Sequence, residues 1–159
     1  MIVNLRNANT DISDVDEECI QPNAVDLRLE KVFKINNNTF TIDSNNNKQH
    51  RGSEELKPDS DGFWTLQPGC YEVIMKSAVK VGHDECGILV PRSTLNRNGC
   101  FITSGLYDSG YNGVVGGCLH VEAGSLVIEK GTRVAQYVCF KAESVKLYNG
   151  SYGLGKDNY

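Results

Sequence analysis

The chain has 159 residues and a formal net charge of −4, and at this length a single domain spanning residues 1–159 is the default. The negative charge argues against a general nucleic-acid-binding protein, because phosphate backbones require a basic face, but it allows a local basic pocket for one small polyanion. No apolar run approaches the roughly 18 residues that span a bilayer, and residues 1–4 begin no secretory signal. We therefore expect no membrane contact and a cytoplasmic location.

The six cysteines are spread along the chain without any Cys-x-x-Cys pair. Several lie in alternating apolar runs, and a chain of this length does not need disulfides for stability. We therefore expect reduced, mostly buried thiols. The zinc-type nucleobase deaminases require a Cys-x-x-Cys pair, so the sequence pattern argues against that class.

The predicted elements of the first part of the chain are few. Residues 1–19 are polar and acidic and predict at most a short strand followed by a loop or helical turn. In residues 25–29 apolar side chains alternate with Asp26 and Arg28, which predicts a half-buried strand with both charged residues on its other face. Spacing alone favours a surface pair of Asp26 and Arg28 over a role in a site.

The middle and end of the chain predict many short strands. Residues 36–62 are rich in Asn, Ser, Asp, Lys and Gly and predict a polar loop without chemistry, with one short strand at residues 39–42. Further strands are expected at 63–66, 71–75, 78–81, 86–90, 126–128 and 133–140, with a Pro-Gly turn at 67–69 and a hairpin turn at 129–131. Short strands with frequent turns and almost no helical period predict an all-β sandwich or barrel.

The densest polar chemistry lies in residues 91–121. Residues 91–94, Pro-Arg-Ser-Thr, predict a bend with one cation and two hydroxyls, which suit phosphate oxygens. A hairpin is expected next, with Asp108 and Tyr111 at its tip and glycines where the turn needs a positive φ. Each residue alone also suits a turn, a solvated surface or core packing. Their ordered combination suits a nucleotide.

The last residues, 147–159, alternate glycines with tyrosines and include Lys156. Glycines predict a tail that is mobile when no ligand is bound, and Tyr152 and Lys156 could order it over a ligand. A frayed chain end is equally compatible with this composition.

Four segments, taken together and in this order, resemble the deoxyuridine triphosphatase (dUTPase) and deoxycytidine triphosphate (dCTP) deaminase superfamily. They are QPNAVDLR at residues 21–28, PRSTLNR at 91–97, SGLYDSGY at 104–111 followed by Gly113, and GTRVAQ at 131–136. A fifth, YGLG at residues 152–155, loosely resembles the glycine-rich tail of the family. The resemblance covers roughly residues 20–156 and leaves the Asn-rich loop unmatched.

The resemblance implies a jelly-roll-like distorted β-barrel of the dUTPase type, a homotrimer with active sites between subunits, and a deoxynucleoside triphosphate substrate carried with Mg²⁺. It implies that Asp108 deprotonates the attacking water, that Asp26 reaches the metal through water, and that Tyr111 stacks on the deoxyribose and leaves no room for a 2′-hydroxyl. The other implied contacts fall into two groups: phosphate contacts from Arg92, Ser93, Thr94, Gln136 and Lys156, and base contacts from Tyr152 and the backbone of Thr103, Ser104, Gly105 and Leu106.

The superfamily divides into a hydrolase and a deaminase, and the sequence resembles both. Residues 21–28, and Arg97 at the position of a second active-site arginine, look like the deaminase and bifunctional branch. In that branch a glutamate is the general base for attack at C4 of cytosine, and this chain has Cys118 at the corresponding position. The branch also carries an arginine at the position of Leu106. A thiol has neither the charge nor the geometry of a carboxylate, whereas Asp108 is intact. We therefore expect hydrolysis of dUTP to dUMP and pyrophosphate.

Three alternatives stay open. Glu122 lies on the same predicted strand face as Cys118 and would serve a deaminase if the register shifted. The short segment between Gly99 and Asp108 leaves open a hydrolase of another deoxypyrimidine triphosphate. The Asn-rich loop at residues 36–50 leaves open a non-catalytic trimer that binds a nucleotide or protein partner for regulation.

Overall fold

The computed structural model describes residues 1–155, and β-strands dominate them. In chain order the strands are β1 (Ile2–Val3), β2 (Asp11–Ile12), β3 (Val25–Ile35), β4 (Thr41–Ile42), β5 (Lys48–Gln49), β6 (Ser53–Leu56), β7 (Phe63–Leu66), β8 (Gly69–Lys80), β9 (Glu85–Pro91), β10 (Cys100–Thr103), β11 (Asn112–Val121), β12 (Leu126–Glu129) and β13 (Arg133–Lys141). The helices are short: α1 (Ser93–Arg97) and two 3-10 turns, Leu5–Asn7 and Glu17–Cys19. The predicted all-β fold is confirmed.

One long strand, β3, joins two groups of antiparallel strands. Its first residues pair with β13, and its last residues pair with β8 and β6. On one side, β13 lies between β3 and β9 and also pairs with β1. On the other side, β8 lies between β3 and β11, and β10 pairs with the far edge of β11. The pairs β7–β12 and β4–β5 form separate small sheets.

The core lies between these strands, where alternating apolar residues place Leu27, Val73, Met75 and Tyr137 out of solvent. Gly87 is required by this packing. A Cβ at that position would lie 2.0 Å from the Tyr137 hydroxyl oxygen, so only glycine lets β9 approach this ring.

Three local predictions are wrong. Residues 71–75 and 78–81 belong to one strand, β8, because Ser77 between them is buried and the chain does not turn there. The turn at residues 129–131 does not close a hairpin, since β12 pairs with β7 whereas β13 pairs with β3 and β9. Residues 36–62 contain β5 and β6 besides the expected short strand, since turn-forming residues also connect short exposed strands.

All six cysteines are free thiols, and the expectation of mostly buried thiols holds for half of them. Cys19, Cys100 and Cys139 are buried, and Cys70 is exposed. Among residues 1–155, no helix has both the length and the apolar character needed to cross a membrane.

Candidate active site

A buried carboxylate, Asp26 of β3, is the centre of the first candidate feature. Its side chain is 1 % exposed, and Arg92 Nε and Arg133 Nη1 lie 3.4 Å and 3.5 Å from its Oδ2 atom. Gln136 Nε2 donates a hydrogen bond to Oδ1 at 2.9 Å. We call these four residues the arginine cluster. A carboxylate buried between two guanidinium groups is compensated in charge.

The surface pair that spacing favoured for Asp26 and Arg28 is therefore wrong. Arg28 instead forms ion pairs with Asp16, at 3.3 Å, and with Glu18. Its Nη1 also donates to the Gly131 carbonyl oxygen at 3.1 Å. The alternation of the strand is confirmed, but the side chains of Arg92, Arg133 and Gln136 surround Asp26 in place of solvent.

Three adjacent strands position the arginine cluster. Asp26 of β3 lies opposite Gln136 of β13, and Gln136 lies opposite Val90 of β9. Arg92 follows the end of β9, and its backbone N–H donates to the Val134 carbonyl oxygen at 3.0 Å. Because all three strands are paired at this point, the cluster is held by backbone hydrogen bonds.

Sequence reasoning missed Arg133 as a site residue. Arg133 and Gln136 are three positions apart, which in a regular strand would place them on opposite faces. The register between β3 and β13 shifts between Arg133 and Ala135, and such a bulge re-aims one side chain. Both residues therefore reach Asp26, although a period of two would separate them.

The other phosphate-binding candidates lie beside the cluster. Ser93 and Thr94 are exposed on α1, whose buried residue Leu95 fixes the turn against the core. Arg97 is also exposed on α1. The Arg92 side chain remains 34 % exposed and that of Arg133 29 % exposed, so both guanidinium groups can contact Asp26 and a bound anion together.

The second candidate feature is a cleft of about 770 Å³ near the hairpin of β10 and β11. We call it the tyrosine pocket, defined by five of its lining residues: Tyr107, Tyr111, Cys118, Tyr148 and Tyr152. The Tyr111 hydroxyl donates to the Val114 carbonyl oxygen at 2.6 Å, and that of Tyr107 donates to the Gly116 carbonyl oxygen at 2.8 Å. Burial raises the pKa of both hydroxyls, so both stay neutral.

The hairpin is confirmed, with Thr103 opposite Cys118. Its two tip residues, Asp108 and Tyr111, line different clefts. Asp108 is exposed and lines a neighbouring cleft of about 600 Å³, which shares Leu106 and Tyr148 with the tyrosine pocket. Ser109, next to it, donates to the Glu85 carbonyl oxygen at 2.5 Å and so fixes the tip to β9.

Of the four residues expected to read the base, Leu106 lines the tyrosine pocket. The Ser104 hydroxyl accepts a hydrogen bond from the Leu89 backbone N–H at 3.0 Å, and the Thr103 hydroxyl lies 3.1 Å from His120 Nε2. Gly105 is exposed. The side chains of Thr103 and Ser104 thus hold the hairpin, and base reading by the backbone of this segment stays a prediction.

Cys118, which the sequence resemblance places at the position of the deaminase glutamate, lines the tyrosine pocket. Burial, followed by the neighbouring Cys70, raises its pKa to about 11, so the group is a neutral thiol. Glu122 lies beyond the end of β11, is exposed and does not line the pocket, so no shifted register brings it in. The carboxylate that does line the pocket is Glu72 of β8, directly opposite Cys118.

The Asn-rich segment also lines the tyrosine pocket, through Phe40, His50 and Arg51. The sequence predicted no chemistry for this segment, and the structure adds that three of its side chains form part of the pocket wall. A polar loop gives no periodic pattern that would show which of its residues turn inward.

Up to residue 155, the end of the chain lies against the hairpin of β10 and β11. The Tyr148 backbone N–H donates to the Ser109 carbonyl oxygen and that of Leu154 to the Asn112 carbonyl oxygen, both at 2.8 Å. Tyr152 lines the tyrosine pocket, whereas Lys156 lies outside the described residues.

Comparison with known proteins places this architecture in a family. A family model described as dCTP deaminase-like matches residues 2–142. The deoxyuridine 5′-triphosphate nucleotidohydrolase of Methanocaldococcus jannaschii is 31 % identical over 155 residues, which cover 96 % of this chain and 98 % of that protein.

Two solved structures share the fold. The 2′-deoxycytidine 5′-triphosphate deaminase from Agrobacterium tumefaciens matches with a TM-score of 0.61 at 18 % identity, over 82 % of this chain and 43 % of the deaminase chain, so this chain spans less than half of it. An aspartate-to-asparagine mutant of the dUTPase of Staphylococcus bacteriophage 80alpha with dUpNHpp matches with a TM-score of 0.53 at 15 % identity, over 92 % and 99 % of the two chains. The fold expected from the sequence resemblance is confirmed.

Proposed function

This chain belongs to the dCTP deaminase-like family, and we propose that within it the protein is a pyrophosphohydrolase that converts dUTP to dUMP and pyrophosphate. The arginine cluster carries this proposal, because two half-exposed guanidinium groups fixed by a buried carboxylate form a site for a polyanion. The name of the Methanocaldococcus jannaschii relative supports the same activity.

The arginine cluster would hold the triphosphate. Arg92 contacts Asp26 through Nε, and its Nη1 donates to the Arg133 carbonyl oxygen at 3.5 Å, so Nη2 is the group that would donate to phosphate oxygens. Ser93 and Thr94 follow on the exposed side and would add hydroxyl donors. Release of pyrophosphate depends mainly on positioning and on neutralisation of charge, and these groups supply both.

The residues around Asp26 fit a Mg²⁺ ion that keeps most of its water. Both Asp26 oxygens already have nitrogen partners, from Gln136 on Oδ1 and from the two arginines on Oδ2, so contact through water is favoured over direct ligation. Proteins commonly hold Mg²⁺ by one or two carboxylates together with substrate phosphates. When bound, the ion would neutralise charge on the triphosphate.

Asp108 would take the proton of the attacking water.

The tyrosine pocket would receive the sugar and base of the nucleotide. The hydroxyls of Tyr107 and Tyr111 are occupied by backbone groups, so both rings present apolar edges and faces. Tyr111 is 5 % exposed, and its fixed position would leave little space for a 2′-hydroxyl.

The two halves of the site are separated within one chain. Tyr107 pairs with Gly87 near the start of β9, whereas Arg92 follows its end. Five residues of extended strand span roughly 16 Å, but a general base must act within about 3 Å of its proton. This separation supports a homotrimer in which one subunit supplies the arginine cluster and another supplies Asp108 and the tyrosine pocket.

Deamination of dCTP is the second candidate, and Glu72 is the observation that favours it. This carboxylate lines the tyrosine pocket from β8, opposite Cys118, and could act as the base that Cys118 cannot.

A product assay tests both activities. Purified protein with Mg²⁺ is incubated separately with dUTP, dCTP, dTTP and UTP, and pyrophosphate and ammonia are measured. We expect pyrophosphate from dUTP and no ammonia from dCTP. Ammonia that disappears in Glu72→Gln would establish the deaminase instead, and no product from any nucleotide would favour a regulatory binder.

Substitution of the proposed base gives the first prediction. Asp108→Asn should lower kcat for dUTP by about 100- to 10,000-fold while binding of a non-hydrolysable dUTP analogue is retained. Asp61→Asn, at another exposed aspartate, is the matched control and should leave kcat unchanged. An active Asp108→Asn enzyme would assign the proton to another group.

A further inference from the structure

Three side chains with soft or nitrogen donors converge beside the tyrosine pocket. Cys70 of β8 lies directly opposite His120 of β11, and Cys118 lies two residues before His120 on the same face. The two sulfur atoms and a ring nitrogen of His120 all lie within 4.8 Å of one another. Cys70 and His120 are 50 positions apart in the chain, so no local sequence motif reveals the group.

His120 is oriented toward this group from two sides. Its ring stacks on Phe101 of β10 with centroids 4.5 Å apart and an interplanar angle of 9°. Its Nε2 atom lies 3.1 Å from the Thr103 hydroxyl, and its Nδ1 atom faces the Cys70 sulfur at 3.5 Å. Ligating histidines typically use one nitrogen for the metal and hydrogen-bond through the other, and His120 has this arrangement.

We propose that Cys70, Cys118 and His120 form a binding site for Zn²⁺ at the wall of the tyrosine pocket. Two thiolates and one imidazole are a donor set that zinc prefers and that hard cations such as Mg²⁺ do not. Each thiol releases its proton to solvent when its sulfur binds the ion. This site is chemically distinct from the water-mediated Mg²⁺ contact at Asp26.

Three protein ligands leave the fourth tetrahedral position of the ion open, as in catalytic rather than structural zinc sites. Cys118 is both a ligand and a wall of the pocket, so the ion would lie at the pocket surface, where a water or a ligand atom can reach it. Glu72, opposite Cys118, adds negative charge near the site. Exposed Cys70 gives the ion a path from solvent.

Cobalt titration tests the site in the full-length protein. The probe is Co²⁺, which replaces zinc in thiolate sites and then gives a sulfur-to-cobalt charge-transfer band and intense visible bands typical of tetrahedral coordination. The protein is kept reduced, and its six thiols are counted first, so that a disulfide between Cys70 and Cys118 cannot mask the result. Zn²⁺ is then added to displace the cobalt.

We expect one equivalent of Co²⁺ with thiolate bands that Zn²⁺ abolishes. Cys70→Ser, Cys118→Ser and His120→Ala should each weaken Co²⁺ binding at least roughly 10-fold. Cys86→Ser and His83→Ala, which change the same residue types elsewhere, are controls for binding and should not alter it. Circular dichroism checks that every variant is folded.

The proposal is overturned if the reduced protein gives no thiolate bands, or if a folded Cys118→Ser variant binds Co²⁺ as the unsubstituted protein does. Both readouts are spectroscopic and need no turnover, so they are independent of the result of the dUTP assay.

Discussion

The arginine cluster and the tyrosine pocket are built in opposite ways. In the arginine cluster, a buried carboxylate meets two partly exposed guanidinium groups, and Asp26 is stabilised because these groups and an amide surround it. In the tyrosine pocket, the hydroxyls of Tyr107 and Tyr111 are neutral and are satisfied by backbone carbonyl oxygens. The first region is suited to recognising charge, and the second to recognising shape.

This difference separates two contributions to nucleotide chemistry. Fixed charges act on the phosphates, where negative charge must be neutralised during the reaction. An apolar slot acts mainly on ground-state binding and substrate choice. Since the regions lie at opposite ends of β9, substitutions in one region should leave the other region of the same chain intact.

Between these two regions, the larger effect is expected from breaking the arginine cluster. Arg92→Ala removes one guanidinium from Asp26 and from the proposed phosphate site, and kcat/KM for dUTP should fall about 100- to 1,000-fold. Steady-state kinetics measure the fall. Arg6→Ala, in the exposed ion pair with Glu17, is the control and should leave kcat/KM unchanged. A loss confined to KM would show that Arg92 binds substrate without acting on the transition state.

An intermediate effect is expected at Glu85 of β9, whose carboxylate fixes residues 9–10 and Lys141 of β13 to the start of that strand. This carboxylate is 0 % exposed and accepts hydrogen bonds from the Thr10 hydroxyl, the Asn9 and Thr10 backbone N–H groups and the Lys141 ammonium. Glu85→Gln should lower the free energy of unfolding by about 1 to 3 kcal/mol, measured by urea denaturation at neutral pH. Glu54→Gln, on exposed β6, should cost nothing measurable.

The pH dependence of the same variant sharpens this prediction. Burial opposes ionisation of Glu85, but the hydrogen bonds from Thr10, Asn9 and Lys141 prevail and lower its pKa below the ordinary 4.5. The contribution of Glu85 is therefore complete above pH 4.5 and lost as the pH falls through the lower folded value. Glu85→Gln should lack this acid-side loss, and an unchanged acid profile would contradict the assignment.

The smallest effect is expected at the rim of the tyrosine pocket. Phe40, 40 % exposed, lies 5.9 Å from the His50 ring and lines the pocket. Phe40→Ala should raise KM for dUTP by a few-fold with kcat unchanged, because partly exposed apolar contact contributes only ground-state binding. Ile42→Ala, two residues away and outside the pocket lining, is the matched control. A change in kcat would instead implicate the Asn-rich segment in the chemical step.

Much of the architecture could be predicted from local pattern. The alternation in residues 25–29 and 133–140 predicted β3 and β13, and the apolar residues and glycines around residues 100–121 predicted the hairpin. These patterns suffice because strand periodicity and turn chemistry are set by neighbouring residues. They did not suffice for β8, where polar residues inside one strand resembled a turn.

The sequence by itself determined the β class, the order of the strands along the chain and the residue types of the site: an arginine after a proline, an aspartate in a turn and a tyrosine beside it. Only the tertiary structure decided which side chains meet. Cross-strand register sets Asp26 opposite Gln136 and Cys70 opposite His120, and a bulge turns Arg133 toward Asp26. The physical reason is that register depends on the pairing of distant segments, whereas periodicity is visible within each segment.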